Sequence, residues 1–333
     1  MIKKIENLLQ SHDLDHFGFC QLTTPLSLNF YKAWLEKGYH GDMAYLKNHL
    51  PKKENPQALL PQAQSAIVFT IPYYPKTSSQ FPLKSLKVAR YANQEDYHFW
   101  LQKKINTLCS ELKQIFPDQD FLGFTDSSPV LERDLAHKAG LGWFGKNTCL
   151  IDRKKGSLFF IAEIYTSLNL QSDIKPTPDH CGTCTKCIDA CPTDALLDDK
   201  TLDATKCISY WTIESKQVPP EKLRENFKDW FFGCDICQEV CPWNTKIHDL
   251  KQSQPKPEDI AQELKWILTS SNKKLMKTFH GTPLSRAGGR GLKRNALIVA
   301  ANLNLVSLKD TVEGYAQHEQ LGSLALWALE KLH

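Results

Sequence analysis

No apolar run of about twenty residues, the length a helix needs to cross a bilayer, occurs in the 333-residue chain. The opening stretch, MIKKIENLLQSHDLDHFGFC, carries two lysines, but Glu6, Gln10, His12, Asp13 and Asp15 interrupt it. It therefore reads as neither a secretion signal nor a membrane span. Ile2, Ile5, Leu8 and Leu9 predict one face of an amphipathic helix instead. Acidic residues are missing from the whole stretch between Glu263 and Asp310. Into that gap fall Lys265, Lys273, Lys274, Lys277, Arg286, Arg290, Lys293, Arg294 and Lys309. A one-signed segment of this length suits a polyanion such as nucleic acid, although a solvated basic face has the same composition. Elsewhere the composition, 41% hydrophobic and 23% charged, is that of an ordinary globular protein.

Cysteine is what the chain has in excess, eleven in all. Eight of them fall into Cys181-x2-Cys184-x2-Cys187-x3-Cys191-Pro192 and into Cys207 followed by Cys234-x2-Cys237-x3-Cys241-Pro242. In bacterial ferredoxin runs three close thiolates hold one four-iron cube and the fourth crosses to the other. The spacing thus predicts one [4Fe-4S] cluster on Cys181, Cys184, Cys187 and Cys241, and a second on Cys191, Cys207, Cys234 and Cys237. Each proline is expected to stop the turn after its crossing cysteine. A zinc site is the alternative, but four ligands would satisfy it and leave Cys187, Cys191, Cys207 and Cys241 unemployed. Cys20, Cys109 and Cys149 are left over and read as buried apolar thiols. Without a secretion signal, metal ligation in a reducing cytoplasm is favoured over disulfides.

The pattern of elements predicts an α+β chain. Residues 1–172 form a mixed α/β domain, with buried strands in Ala66–Ile71, Asp120–Asp126 and Ser157–Thr166 and a helix over Asp134–Ala139. AGLGWFGKN, after that helix, holds three glycines, whose flexibility suits a ligand-binding loop, but the pattern alone favours a tight helix-to-strand connection. Lys175–His180 links to a ferredoxin-like domain over 173–250, and Lys251–Asp259 links onward to paired helices over 255–333, a small helical-repeat domain.

TDSSPVLERDLAHKAGLGWFGKNTCLI (Thr125–Ile151), the two-cluster run, CISYWTIE (Cys207–Glu214), ARYANQEDYH (Ala89–His98) and GTPLSRAGGRGLKRNALIVAANL (Gly281–Leu303) together resemble epoxyqueuosine reductase. The resemblance spans nearly the whole chain. It implies a cobalamin-binding N-terminal domain, two [4Fe-4S] clusters beside it and a HEAT-like C-terminal domain that helps hold tRNA. The implied reaction converts epoxyqueuosine to queuosine at the tRNA wobble position, drawing on a low-potential electron donor whose identity the sequence does not name. A monomer with no membrane partner is expected. The DxHxxG cobalamin signature is incomplete: Asp96-Tyr97-His98 begins like it, but Leu101 stands where glycine is required.

By the same resemblance Asp126 stands at the proton-donor position. A carboxyl that donates near neutral pH needs its pKa raised by burial; a plain Asx-turn with Ser127, Ser128 and Pro129 is the structural alternative. Tyr97 and His98 fall in the substrate-side segment. Lys53, where the family often has arginine, and Ala89, Lys146, Asn147 and Ser209 match positions around the cobalamin. Arg286, Arg290, Lys293 and Arg294 are assigned to the tRNA backbone. A reductive-dehalogenase-like enzyme and a simple ferredoxin-type carrier are the competing readings; neither gives the basic segment a task. Protein reconstituted without oxygen should carry about eight iron atoms per chain. Tightly bound zinc without iron would contradict the two-cluster assignment.

Overall fold

The computed structural model describes residues 1–74, 81–170, 175–250 and 254–333. The expected domain boundary at 172–173 and the start of the second linker at Lys251 lie outside the described residues. Strands β1 (Phe17–Gln21), β2 (Ser65–Pro72), β3 (Phe121–Thr125) and β4 (Phe159–Thr166) form an antiparallel sheet in the order β1-β2-β4-β3. Helices Ile2–Ser11 and Tyr97–Ile115 cover one face, packing Ile5, Leu9, Leu101 and Ile105 against Ile67, Phe69 and Ile164. Helix Glu132–Lys138 covers the other, setting Leu135 and Ala136 among Ala66, Val68, Phe124 and Ile161. Because both faces are covered, all eight residues of β4 are buried, and its sequence reads as a nearly unbroken apolar run.

Two local features set up the site. A Cβ on Gly123 would fall 1.8 Å from Ile105 Cγ2, so only glycine lets helix Tyr97–Ile115 lie directly on β3. That helix is capped by Asp96, whose carboxylate accepts the His98 backbone N–H at 3.0 Å. Its first turn therefore meets the residue that follows β3, Asp126. The glycine loop AGLGWFGKN is tight: Trp143–Phe144 pairs antiparallel with Leu150–Ile151, and a Cβ on Gly142 would sit 2.4 Å from the Ile151 carbonyl oxygen. These glycines serve packing within the protein. Their spacing in GLGWFG matches that of a dinucleotide fingerprint, yet they follow a helix and open a hairpin, the wrong context for one.

The cysteine segment contains short helical turns, Lys186–Asp189, Ile236–Glu239 and Pro242–Thr245. Pro242 begins the last of these with Cys241 as its cap; it starts a turn where one was expected to stop, a position that suits its fixed φ and missing N–H. Beyond residue 256, helices Pro257–Thr269, Asn272–Thr278 and Gly322–Leu329 pack around Gly288–Asn302, which is buried along most of its length. These helices share one apolar core with Tyr210, Trp211 and Trp230–Phe232 of the cysteine segment, so the packing does not divide between the two.

Arg294 corrects an expectation. It was assigned to a solvent-facing basic row, but it is only 2% exposed. Its guanidinium donates to the carbonyls of Ser215 (2.6 Å), Gln217 (2.9 Å) and Trp211, and so braces the turn after Cys207. Spacing of four along a helix put Arg290 and Arg294 on one face, but unfilled backbone acceptors drew the second inward. Arg294→Ala should lower unfolding stability by about 3 kcal/mol, because three buried carbonyls lose their donor. An unchanged denaturation midpoint would show that these bonds contribute nothing.

Candidate active site

Asp126 follows the end of β3, its side chain 53% exposed. Behind it, the Tyr97 hydroxyl donates to Oδ2 at 2.5 Å and His98 Nε2 lies 3.2 Å from the same oxygen. His98 Nδ1 is held 2.7 Å from Asp96 Oδ1, and the Tyr97 ring stacks between His98 and Phe160, at 4.2 and 4.1 Å. The imidazole thus faces a carboxylate at each nitrogen. Hydrogen bonds to Asp126 and then Asp96 outweigh burial and push His98 up to about 9. Desolvation by the surrounding protein works to raise the half-exposed Asp126 carboxyl, but the bonds from His98 and Tyr97 prevail and hold it below the usual carboxylate range. A raised Asp126 was expected; the resting proton sits instead on His98, a histidine in its common role as a group poised near neutrality.

Beneath Asp126 lies a charged group that the sequence reading did not assemble. Lys53 is buried and donates to the Val130 carbonyl at 2.7 Å. Glu132, in the first turn of its helix, accepts the Asp126 backbone N–H, and burial followed by the nearby Asp126 charge pushes it up to about 7. Glu163, cross-strand from Phe124, is 0% exposed and neither carboxyl oxygen has a hydrogen-bond partner. A sequence signal did exist: Glu163 is the single charge in the run FFIAEIYT.

All eleven cysteines are free. Cys181, Cys184, Cys187 and Cys241 line one cavity of about 220 Å³, together with Lys146, His180 and Trp243. Cys234 lies beside Cys207 and Cys191, and Cys237 beside Cys234 and Cys207. Cys241 lies near Cys181 and Cys184, and Cys207 near Cys191. The first four ring a cavity instead of converging, and among the described residues no group of three or more His, Cys, Asp or Glu is close enough to hold a single ion. Burial pushes Cys187 up to about 11 and raises Cys237 and Cys241. Thiols so placed ionise readily only with a metal's positive charge beside them. Of the three remaining thiols, Cys20 is buried as expected, and Cys149 lies near Cys187 and Cys241 of one set and Cys237 of the other.

Three of the proposed cofactor positions border the second set. Ala89 touches the backbone at Gly233, the Asn147 amide donates to the Cys237 carbonyl at 3.4 Å, and Ser209 hydrogen-bonds Cys207. Lys53 stands on the Asp126 side, while Lys146 lies at the first set's cavity. In the basic segment, Arg286 forms an ion pair with Glu214 at 2.9 Å, so an acid from outside the segment partly neutralises it. Arg290 reaches the Lys216 carbonyl at 3.1 Å, and Lys293 lies over the Tyr315 ring at 5.7 Å. Lys216, Arg290 and the glycine-rich start of helix Gly288–Asn302 line a cavity of about 620 Å³.

Comparison with known proteins agrees with this geometry. Residues 53–127 match the family described as epoxyqueuosine reductase QueG, DUF1730, and residues 180–244 match a 4Fe-4S double cluster binding domain. An epoxyqueuosine reductase of Cyclobacterium marinum is 42% identical over 262 residues, 79% of this chain and 84% of the relative. The chain belongs to the epoxyqueuosine reductase family. It is accordingly an oxidoreductase. The Bacillus subtilis epoxyqueuosine reductase, solved with its catalytic aspartate loop swung out of the active site, superimposes with a TM-score of 0.85 at 27% identity, over 99% of this chain and 90% of that one. An epoxyqueuosine reductase bound to an epoxyqueuosine-modified tRNA-Tyr stem loop matches at 0.84 and 26% identity, over 99% and 90%. Among the described residues no helix is long and apolar enough to cross a membrane.

In this epoxyqueuosine reductase relative, His98 couples the site to stability. Its pKa rises from 6.5 to about 9 on folding, so its contribution is fully present below 6.5 and is lost as pH rises through about 9. The unfolding midpoint should therefore fall more steeply between pH 6.5 and 9 in the wild type than in His98→Gln. Equal slopes would show that Asp126 and Asp96 do not hold the imidazolium.

Proposed function

We propose that this chain reduces epoxyqueuosine to queuosine at the tRNA wobble position, with Asp126 as the group that delivers the proton. The observation that carries this reading is the half-exposed Asp126 carboxylate held by Tyr97 and His98, in a chain of this family. The epoxide oxygen must leave protonated, since an alkoxide departs poorly. At rest His98 holds a proton 3.2 Å from Asp126 Oδ2, and the Asp126 side chain is 53% exposed. As substrate covers the site and excludes water, the carboxylate's charge is disfavoured, and proton transfer from His98 makes Asp126 the acid that meets the substrate. Tyr97 fixes the carboxylate's orientation through its second donor.

We assign one [4Fe-4S] cluster to Cys181, Cys184, Cys187 and Cys241 and the other to Cys191, Cys207, Cys234 and Cys237. Cobalamin would lie between Asp126 and the second cluster, with the small Ala89 and the polar Asn147 and Ser209 beside the cysteines. Both His98 nitrogens are engaged with carboxylates, so His98 offers no ligand to cobalt, consistent with the incomplete DxHxxG signature. When bound, cobalamin supplies the low-potential chemistry at the epoxide carbon. Lys53 keeps its charge on the Asp126 side of that space but lacks the two-pronged geometry of arginine. Lys146, placed over the first cluster's cavity, is better suited to that cluster's rim than to the corrin.

An external low-potential donor would reduce the first cluster, the second passing electrons onward. A HEAT-like C-terminal domain over 255–333, following a catalytic domain over 1–172 and a ferredoxin-type domain over 173–250, would seat the anticodon arm on Arg286, Arg290 and Lys293, with the 620 Å³ basic cavity taking a backbone phosphate. The protein acts as a monomer in the cytoplasm. Asp126→Asn keeps shape and accepts the same hydrogen bonds but cannot donate an acidic proton. Turnover should fall by roughly 100-fold or more while the iron content stays unchanged. Wild-type turnover in that variant would assign the acid elsewhere.

A further inference from the structure

We propose that the exposed face of helix Tyr97–Ile115 is an RNA-binding groove, in which Phe99 stacks on a base next to the wobble nucleotide and Lys103 pairs with a backbone phosphate. This rests on the reading of the chain as a reductase acting on tRNA. The groove has a volume of about 470 Å³ and is lined along the helix from His98 to Ser110. Side chains four apart form ridges on a helix. His98, Gln102 and Asn106 make one ridge here, and Phe99, Lys103 and Thr107 the next. At 1.5 Å per residue the groove runs for about 18 Å. His98 belongs both to this groove and to the acid–base group, lying 3.2 Å from Asp126 Oδ2. An occupant of the groove is therefore continuous with what meets Asp126.

The lining selects single-stranded RNA. Phe99 is 60% exposed in the first turn, one residue from His98. A lone exposed ring is ordinary on a protein surface. Beside a site that takes one base out of an RNA loop it has a use, because that base leaves its neighbours unstacked and an aromatic side chain replaces the lost stack. Lys103 is exposed and forms no ion pair among the described residues, whereas its neighbour Lys104 is tied to the His12 carbonyl at 2.7 Å. Between them Gln102 donates to Asn106 Oδ1 at 3.0 Å and to the Gly123 carbonyl at 3.3 Å, which leaves the Gln102 oxygen and the Asn106 nitrogen for a base edge. One ring flanked by amides and a lysine is too small an apolar patch for a protein partner. The groove also adjoins the basic segment: the Asp96 backbone N–H, at the cap of this helix, donates to the Gly281 carbonyl at 2.8 Å, five residues before Arg286.

Equilibrium binding of a fluorescent epoxyqueuosine-bearing tRNA stem loop to iron- and cobalamin-loaded protein, measured without reductant, tests the groove. Phe99→Ala should weaken binding about tenfold, and Phe99→Trp should restore it. On a stem loop made abasic at the nucleotides flanking the wobble position, the wild type should lose the same factor and Phe99→Ala should lose nothing more. Lys103→Gln should flatten the slope of log Kd against log salt by about 0.7, the contribution of one single-strand phosphate. Both side chains are exposed, so neither change threatens the fold. Unaltered affinity in Phe99→Ala, or equal weakening on normal and abasic loops, overturns the stacking. An unaltered salt slope in Lys103→Gln overturns the phosphate contact. Reductant added afterwards separates the two readings: a wild type that binds as expected but converts no epoxide removes the reductase reading alone, whereas full conversion by the wild type with unaltered binding in both variants removes the groove alone.

Discussion

Arg90 is the joint on which the site depends. Its guanidinium, 6% exposed, bonds Asp235 at 3.2 Å, Glu239 at 2.6 Å and the Leu250 carbonyl at 2.9 Å, and its backbone N–H donates to Asp235 at 2.7 Å. Asp235 lies between Cys234 and Cys237, and Arg90 follows Ala89 on the segment leading to Tyr97 and His98. One buried residue therefore fixes the second cysteine set against the segment that enters the acid–base helix. Burial pushes the Asp235 carboxyl up to about 6 even with Arg90 beside it, so the pair stays ionised at neutral pH. A partner removed from such a pair leaves a stranded charge that costs about 3–5 kcal/mol. A second tie runs from Ser157, just before β4, to Asn244, whose Nδ2 donates to the Ser157 hydroxyl at 3.0 Å.

With the two halves fixed, the proposed function would bring electrons by way of the thiols and protons by way of the acid–base residues. The thiols gather on one side, bordered by Ala89, Asn147 and Ser209. On the other, the Tyr97–His98 turn stands over Asp126 and the Glu132–Glu163 pair lies beneath it. The separation has a physical logic. Buried thiolates need the metal's positive charge, whereas His98 needs carboxylates, and mixing the two would pull each group's ionisation the wrong way.

Three strands of the main sheet, helices Ile2–Ser11 and Glu132–Lys138 and the cysteine spacing were legible in the sequence; β1 and helix Tyr97–Ile115 were not read, and Asp126 entered only through the family resemblance. Buried runs, periodicity and cysteine spacing are local signals, and local signals survive folding. What escaped was set by contacts distant in sequence. Arg294 looked like its neighbours on the helix until the unpaired carbonyls after Cys207 claimed it. The state of Asp126 was inverted because burial was weighed without the two donors that arrive from a helix 28 and 29 residues upstream. Glu163 was visible as a lone charge in an apolar strand, but its meaning came only with Glu132 and Lys53 beside it.

The account stands most directly on one measurement: anaerobic incubation of iron-loaded protein and a reductant with an epoxyqueuosine-bearing tRNA stem loop, with and without added cobalamin, followed by nucleoside analysis. The account predicts stoichiometric conversion of the epoxide to the alkene nucleoside only when cobalamin is present. Reduced clusters beside an unchanged epoxide in the complete mixture, or equal conversion without cobalamin, would contradict it.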